Sequence, residues 1–322
     1  MCPAMTTTSQ VFEHIPVLFN ESMDGLNIKS GGCYIDCTAG GGGHSSGIAA
    51  RIGKEGRLIS IDKDDEALEA CGEKIKLFPD KNWRTVKADF ADIKSVAEEL
   101  NLEGVDGILA DLGVSSHQID TPERGFSYAV SGPLDMRMDQ TKSLTAEKVV
   151  NTYSEEALAD IFYKYGEERY SRRIAAGIVR DRKKEPFTDT LQLAGKIASY
   201  MPGHGRGEDQ HPARRCFQAL RIEVNGELDG LNRLLDDAVE LLNDGGRIAI
   251  ISFHSLEDRI VKEKFKTWES PCICPKDFPV CVCGRKSKGK VITRKPVCAT
   301  PEEIKENPRS HCCKLRVFEK KV

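Results

Sequence analysis

The sequence predicts a parallel β-sheet covered by helices on both faces, with a helical unit inserted into it. Three observations carry this. Strand-like and helix-like segments alternate from residue 33 to residue 112; the alternation then stops for more than a hundred residues; and it resumes after about Asn225. A βαβ series argues for parallel strands buried on both faces. A structureless loop of that length does not suit a compact domain, so the interruption reads as a domain of its own.

In chain order, residues 33–37 form a short apolar run that ends in a glycine string, and a helix begins near Ser45. Residues 57–62 read as a second strand ending in an acid. Residues 64–78 place Ala67, Leu68, Cys71, Ile75 and Phe78 at helical spacing before Pro79. Residues 83–87 are a third strand, 93–100 a helix and 105–112 a fourth strand. In the interruption, Ser154 is placed to cap a helix carrying Leu158, Ile161 and Phe162, and Asp189 with Gln192 resembles a capping box. The rhythm returns with a helix over 227–242, ended by Gly245 and Gly246, and a fifth strand over 247–252. Ser255 with Asp258 looks like the cap of a helix over 256–265. Residues 291–294 and 314–318 read as closing strands, with Thr300, Pro301 and Glu303 as a capping box between them. The resulting division is 1–118 and 226–322 for the sheet-bearing body and 119–225 for the inserted helical domain.

The chain has 322 residues, 39% hydrophobic and 30% charged, with 47 Lys and Arg against 50 Asp and Glu. That composition excludes wholesale disorder. No apolar stretch nears the roughly 18–20 residues of a membrane helix, and residues 1–10 show no secretory signal, so a cytoplasmic protein without membrane contact is expected. The net charge of −3 hides an asymmetry: residues 262–322 carry sixteen basic and seven acidic side chains, leaving −12 for the first 261. Arg285, Lys286, Lys288, Lys290, Arg294 and Lys295 fall within eleven residues. Such a run suits a polyanion or a solvated loop. Seven of the twelve cysteines lie between Cys272 and Cys313. Cys272, Cys274, Cys281 and Cys283 have C-x-C spacing, which allows joint ligation but departs from the C-x2-C of a zinc knuckle. Reduced thiols in a Pro-bounded loop are the simpler reading, and no metal is assigned.

The chemistry concentrates at strand ends. After the first strand, Gly40, Gly41, Gly42, Gly43 and His44 lead into a helix, a turn that lets backbone approach a nucleotide closely. Asp62 ends the second strand, where a carboxylate can accept hydrogen bonds from ribose hydroxyls, although an acid there also suits a helix cap. Asp89 and Phe90 follow the third strand and offer a polar group and an aromatic face. No register of the glycine string gives G-x-G-x-x-G, and no G-x-x-x-x-G-K-[ST] occurs. The loop therefore suits a cofactor without a pyrophosphate, with S-adenosylmethionine the candidate. That is the plan of a class I S-adenosylmethionine-dependent methyltransferase with a Rossmann-like doubly wound sheet.

Several long motifs then resemble one family. They are His14 to Leu18, Asp36 to Ser45, Asp111 to Gln118, Leu134 to Asp139, His211 to Ile222, Ser252 to Arg259, Asn307 to Ser310, and Lys314 to Arg316. Together they resemble the ribosomal RNA small subunit methyltransferase H family, from about residue 14 to 320. His117, where many members carry Pro, and residues 311–313 depart from the pattern. The resemblance implies methyl transfer from S-adenosylmethionine to the N4 amine of a cytosine in the decoding region of 16S ribosomal RNA. An amino-methyltransferase of another RNA or of DNA is the alternative. The resemblance also implies cofactor contacts at Gly42, Gly43, His44, Asp62, Phe90, Asp111 and Gln118, and an inserted substrate-recognition domain. The partner is then 16S ribosomal RNA or the small subunit, and a homodimer is left open.

For the chemistry itself, Asp111 is the expected hydrogen-bond acceptor for the target amine. Ser115 or Ser116 helps hold the base or caps a helix, and His254 takes the proton or makes a structural bond. Asp258 lies near the same cleft. Arg169, Arg172, Arg173, Arg180, Arg182, Lys183 and Lys184 fall within sixteen residues and suggest a basic stripe for phosphates. Arg214, Arg215 and Arg221 extend it, and Arg137 and His211 complete the expected RNA contacts.

Overall fold

The computed structural model describes residues 16–202, 211–275, 280 and 282–321. Seven strands form one sheet: β1 (Cys33–Asp36), β2 (Arg57–Asp62), β3 (Asn82–Lys87), β4 (Val105–Asp111), β5 (Leu242–Ser252), β6 (Gly289–Val291) and β7 (Lys314–Lys320). Their order is β3-β2-β1-β4-β5-β7-β6. The first five are parallel, whereas β7 runs antiparallel to both β5 and β6. The order reverses between β1 and β4, the switch point at which open α/β sheets leave a crevice beyond their carboxyl ends.

Alternate residues of each strand face opposite layers. Ile35, Ile59, Ile108, Ile248 and Ile250 join a core with Val96, Leu231, Leu235, Phe265 and Trp268. These last five come from helices Ile93–Glu99, Glu227–Leu241 and Ser255–Glu269. Tyr34, Leu58, Ala249, Ile251, Leu315 and Val317 join the opposite core with Met23, Leu26, Ile48 and Cys71, supplied by helices Phe19–Leu26, Gly43–Arg51 and Asp65–Ile75. Both faces are thus dry.

Between β4 and β5 the chain forms the helices Ala146–Thr152, Glu155–Lys164, Ser171–Asp181, Thr190–Tyr200 and Arg214–Asn225. Thr145, Ser154 and Asp189 cap three of them through their side chains. Phe162, Ile174, Ile178, Phe187, Leu193, Ile197, Cys216 and Leu220 meet in a third core, made entirely of residues from 126 to 224. Gly226, in the left-handed conformation at φ 61°, ends helix Arg214–Asn225 and starts Glu227–Leu241. The path back to the sheet turns on that residue.

Three local expectations need correction. Gly245 and Gly246 do not end a helix. Val105 pairs with Leu242 and Gly107 with Arg247, so residues 243–246 bulge out of β5, with Gly245 at φ 75°. The helix after β5 starts one residue earlier than its cap pattern suggests: His254 is the N-cap and Glu257 completes its capping box. Asp258 is instead drawn to β7, where it accepts from Arg316 Nε at 2.6 Å. The basic stripe is also broken, because helix Ser171–Asp181 begins after Arg169. Within the stripe Arg182 donates to the carbonyls of Val150 and Tyr153.

Candidate active site

The glycine string forms the floor of the crevice. Gly40 and Gly42 have φ 47° and 76°, a region that favours glycine. A Cβ on Gly43 would lie 2.3 Å from Pro16 Cγ, so the helix can start there only without a side chain. Asp62 closes the loop from the neighbouring strand: Oδ2 accepts from the Gly40 amide at 2.9 Å and Oδ1 from the Asp64 amide at 3.0 Å. Its remaining lone pairs border the cavity.

Beneath the loop, Asp36 is fully buried. Trp83 Nε1 donates to Ser60 Oγ, which leaves the Ser60 hydroxyl proton for Ser45 and the Ser45 proton for Asp36 Oδ2 at 2.6 Å. Burial pushes Asp36 up to about 7, a rise that the bonds from Ser45 and Thr38 only partly offset. The folded chain therefore holds this proton where the unfolded chain has released it. Stability from Asp36 is complete below pH 4 and is lost as pH rises through about 7. Asp36→Asn is expected to flatten the fall in unfolding free energy between pH 4 and 7, measured by urea denaturation. An unchanged pH slope would show that Asp36 does not hold the proton.

Asp111 ends β4. Its backbone amide donates to Thr38 Oγ1 at 2.7 Å, and its Oδ2 lies 3.7 Å from His44 Nδ1. Nε2 of His44 sits 3.0 Å from the Val17 carbonyl, an acceptor, so the proton is on Nε2 and Nδ1 faces Asp111. Asp111 Oδ1 is buried without a hydrogen-bond partner among the described residues. Burial, reinforced by the charges of Asp36 and Glu257, pushes this carboxyl well above the usual range. A buried, unsatisfied carboxyl oxygen at a strand end is costly, and it suits a ligand that brings positive charge or a donor.

An inner cavity of about 120 Å³ is bordered by Gly40, Asp62, Phe90, Asp111, Gln118 and Glu257 among others. It adjoins an outer cleft of about 1240 Å³, to which the body contributes Gly43, His44 and Asp111 and the helical unit contributes Tyr128, Arg214 and Phe217. The inner volume is smaller than the roughly 300–1,000 Å³ of a small-molecule site, so a nucleoside-sized ligand must extend into the outer one. Phe90 offers its ring at the inner rim, with Lys63 Nζ 5.3 Å from the ring centroid. On the other side it meets helix Glu227–Leu241, where a Cβ on Gly230 would come within 3.2 Å of it.

Gln118 and Ser115 make a capping box: the Ser115 amide donates to Gln118 Oε1, and the Gln118 amide to Ser115 Oγ. Gln118 also donates to Asp64 Oδ2 at 2.7 Å, beside the buried ion pair of Asp64 and Arg124. His254 borders the outer cleft, and its Nε2 lies 3.2 Å from Glu257 Oε1. Both serine and histidine therefore carry structural duties.

Several RNA candidates have other employment. Arg137 donates to both oxygens of Asp135 and to the carbonyls of Gln140 and Lys142, so its guanidinium is committed within its own loop. Arg221 makes two 2.8 Å bonds to Glu227. Arg172 and Arg173 are exposed on helix Ser171–Asp181. Arg215 is exposed as well, 3.4 Å from the Glu167 carbonyl, and His211 stacks on Tyr128 with centroids 4.9 Å apart. Sequence reasoning missed Glu227 and Glu257, both buried and both lining the inner cavity. Glu257 stood two residues from the expected cap, and only its position after His254 could have drawn attention to it.

The MraW methylase family matches this sequence over residues 11–321. The chain belongs to that family. The ribosomal RNA small subunit methyltransferase H of Carboxydothermus hydrogenoformans is 53% identical over 309 residues, 96% of this chain and 98% of the relative. Ribosomal RNA small subunit methyltransferase H 2 of Agathobacter rectalis is 52% identical over 310 residues, 96% of this chain and 98% of the relative. The corresponding enzyme of Brevibacillus brevis is 50% identical over 316 residues, 98% of this chain and all of the relative. The seven-stranded sheet and its glycine-rich first turn are those of a class I methyltransferase, and this methylase uses S-adenosylmethionine. The residues fit that cofactor: the carboxyls of Asp62 and Asp111 and the ring of Phe90 border the inner cavity, and the loop at Gly43 admits no Cβ. No helix among the described residues is long and apolar enough to cross a membrane.

Proposed function

We propose that this methylase modifies the N4 amine of a cytosine in the decoding region of 16S ribosomal RNA. Similarity to the H-type small subunit methyltransferases over nearly the whole chain supports this reading, and the observation that carries the chemistry is the unpartnered Asp111 Oδ1. S-adenosylmethionine, when bound, supplies an electrophilic methyl on a positively charged sulfur. Asp62 and Phe90 would hold its nucleoside, and Gly43 and His44 would lie against the rest. Gly42, whose Cβ position faces Lys74 and Cys71 and which borders neither cavity, shapes the turn instead. Gln118 positions this wall through Asp64 and Ser115.

A cytosine amine is a weak nucleophile, because its lone pair is shared with the ring. Asp111 Oδ1 accepts a hydrogen bond from that amine, favours a more tetrahedral nitrogen and takes up charge as the N–H proton leaves. The positive charge of the cofactor, when bound, would favour the carboxylate form of Asp111 against the burial that raises its pKa. His44 and the strand end fix its orientation. His254 and Ser115 hold the walls at which the base would sit. The base must leave its stack to reach Asp111, and the outer cleft between body and helical unit has room for it.

The helical unit, residues 119–225, would recognise the RNA, and Arg172, Arg173, Arg215 and His211 are the proposed contacts. An RNA-binding enzyme of ribosome maturation would work in the cytoplasm. Arg172→Ala with Arg173→Ala is expected to lower the slope of log affinity against log salt by about 0.7–0.9 per lost phosphate contact, measured by filter binding. An unaltered slope would remove both arginines from the interface. The function itself is tested with labelled S-adenosylmethionine and three substrates: small subunits, naked 16S RNA and DNA. Label on a cytosine N4 of the ribosomal RNA is expected; label on DNA alone would overturn the assignment.

A further inference from the structure

We propose that Cys272, Cys274 and Cys283 bind a zinc ion, and that this ion fixes the loop presenting the basic run Arg285 to Lys295 to RNA. The three sulfurs lie within 4.8 Å of one another. Tetrahedral zinc with bonds of about 2.3 Å brings its thiolates to roughly 3.8 Å apart, a small adjustment from this arrangement. Soft thiolates select zinc over calcium or magnesium. Each thiol releases its proton to solvent as its sulfur takes the metal.

Two features of the loop support a metal beyond the grouping itself. The Val282 amide donates to Cys274 Sγ at 3.3 Å, a bond that stabilises a thiolate ligand. The Lys288 amide donates to the Trp268 carbonyl at 2.8 Å, so the two ends of the loop meet. Yet among the loop's described residues Ile273, Val280 and Val282 are 65%, 70% and 72% exposed. A closed loop of that length, whose described residues pack no core, needs a staple to hold one shape. The buried cysteines differ: burial pushes the thiols of Cys37, Cys71, Cys216 and Cys313 up, which keeps them inert. Cys281 lies outside the described residues.

Immediately after Cys283 come Arg285 and Lys286, both exposed. Their positive charge offsets the thiolates, and metal binding would set their spacing against phosphates. The zinc assignment stands on the thiols alone; the RNA role rests on the ribosomal RNA reading above. The test is elemental analysis of the full-length protein purified without added metal, followed by competition for zinc against a colorimetric chelator. About one zinc per chain is expected, and it should disappear in Cys272→Ser with Cys274→Ser. No zinc together with failure to compete, zinc retained in the double variant, or iron in its place would each overturn the site. The double variant should keep S-adenosylmethionine binding, which shows that the body is folded, and lose about tenfold in RNA affinity, roughly the worth of one or two phosphate contacts. Zinc lost with RNA affinity unchanged would sink the presenting role alone. No RNA binding by the wild type would instead count against the ribosomal RNA reading.

Discussion

Asp111→Asn is expected to slow methyl transfer by about 10²–10⁴-fold, the usual contribution of a positioned acid–base group. The amide keeps the shape and one acceptor oxygen, but it can neither carry negative charge nor take a proton. The backbone bond from the Asp111 amide to Thr38 survives the change, so the strand end stays in place. The fold itself should gain, because a buried carboxyl held far above its usual pKa weakens the folded state once pH rises beyond the ordinary carboxylate range. A variant that is slower and at the same time harder to unfold would separate the two effects. Single-turnover rates with saturating cofactor and RNA make the measurement, beside urea unfolding at pH 7.5. Full methyl transfer with cofactor affinity unaltered would show that Asp111 is not the acceptor.

Arg124→Ala should cost about 3–5 kcal/mol of stability, the range for stripping one partner from a buried ion pair. Arg124 and Asp64 are 5% and 3% exposed, and their charged groups meet at 2.8 Å. The same guanidinium also bonds Glu66 and the carbonyls of Arg137 and Met138. It thereby ties the start of helix Asp65–Ile75 to the loop that enters the helical unit. Removing it leaves Asp64 charged, dry and bonded only to Gln118 and its own helix start. The double variant Asp64→Asn with Arg124→Ala should recover part of the loss, since no buried charge is then stranded. Met138 and Gln118 both border the inner cavity, so cofactor affinity should fall with Arg124→Ala as well. Chemical denaturation measures the first effect and calorimetric titration the second. A stability loss below about 1 kcal/mol would mean that water already reaches the pair.

Much of the cleft is legible in the sequence because its chemistry sits where strands end. Asp36, Asp62 and Asp111 close three apolar runs, and a glycine string follows the first; local pattern is enough to find them. What pairs with them is not local. Asp64 and Arg124 are sixty residues apart, and nothing near either one announces the other. Basic residues mislead for the same reason. Arg137 and Arg221 look like surface charge until Asp135 and Glu227 are found against them. The cap before helix Ser255–Glu269 was misplaced by a single residue. Serine is the better cap by propensity, but Glu257 bonds the amides of Phe253 and His254 while Arg316 claims Asp258. Tertiary partners chose the register there. The helical interruption is legible because its caps and apolar stripes are complete within each helix.

The place of β7 between β5 and β6 has a consequence for a chain made from one end. β6 leaves the ribosome before β7, yet it can join the sheet only through β7. At about 5–20 residues per second, the 22 residues between Val291 and Lys314 impose a wait on the order of seconds. During that interval the parallel strands β1 to β5 can assemble, while β5 offers an open edge to any strand that arrives. Translation speed from Ser252 to Lys314 thus sets how long a nascent methylase is exposed to the wrong neighbour.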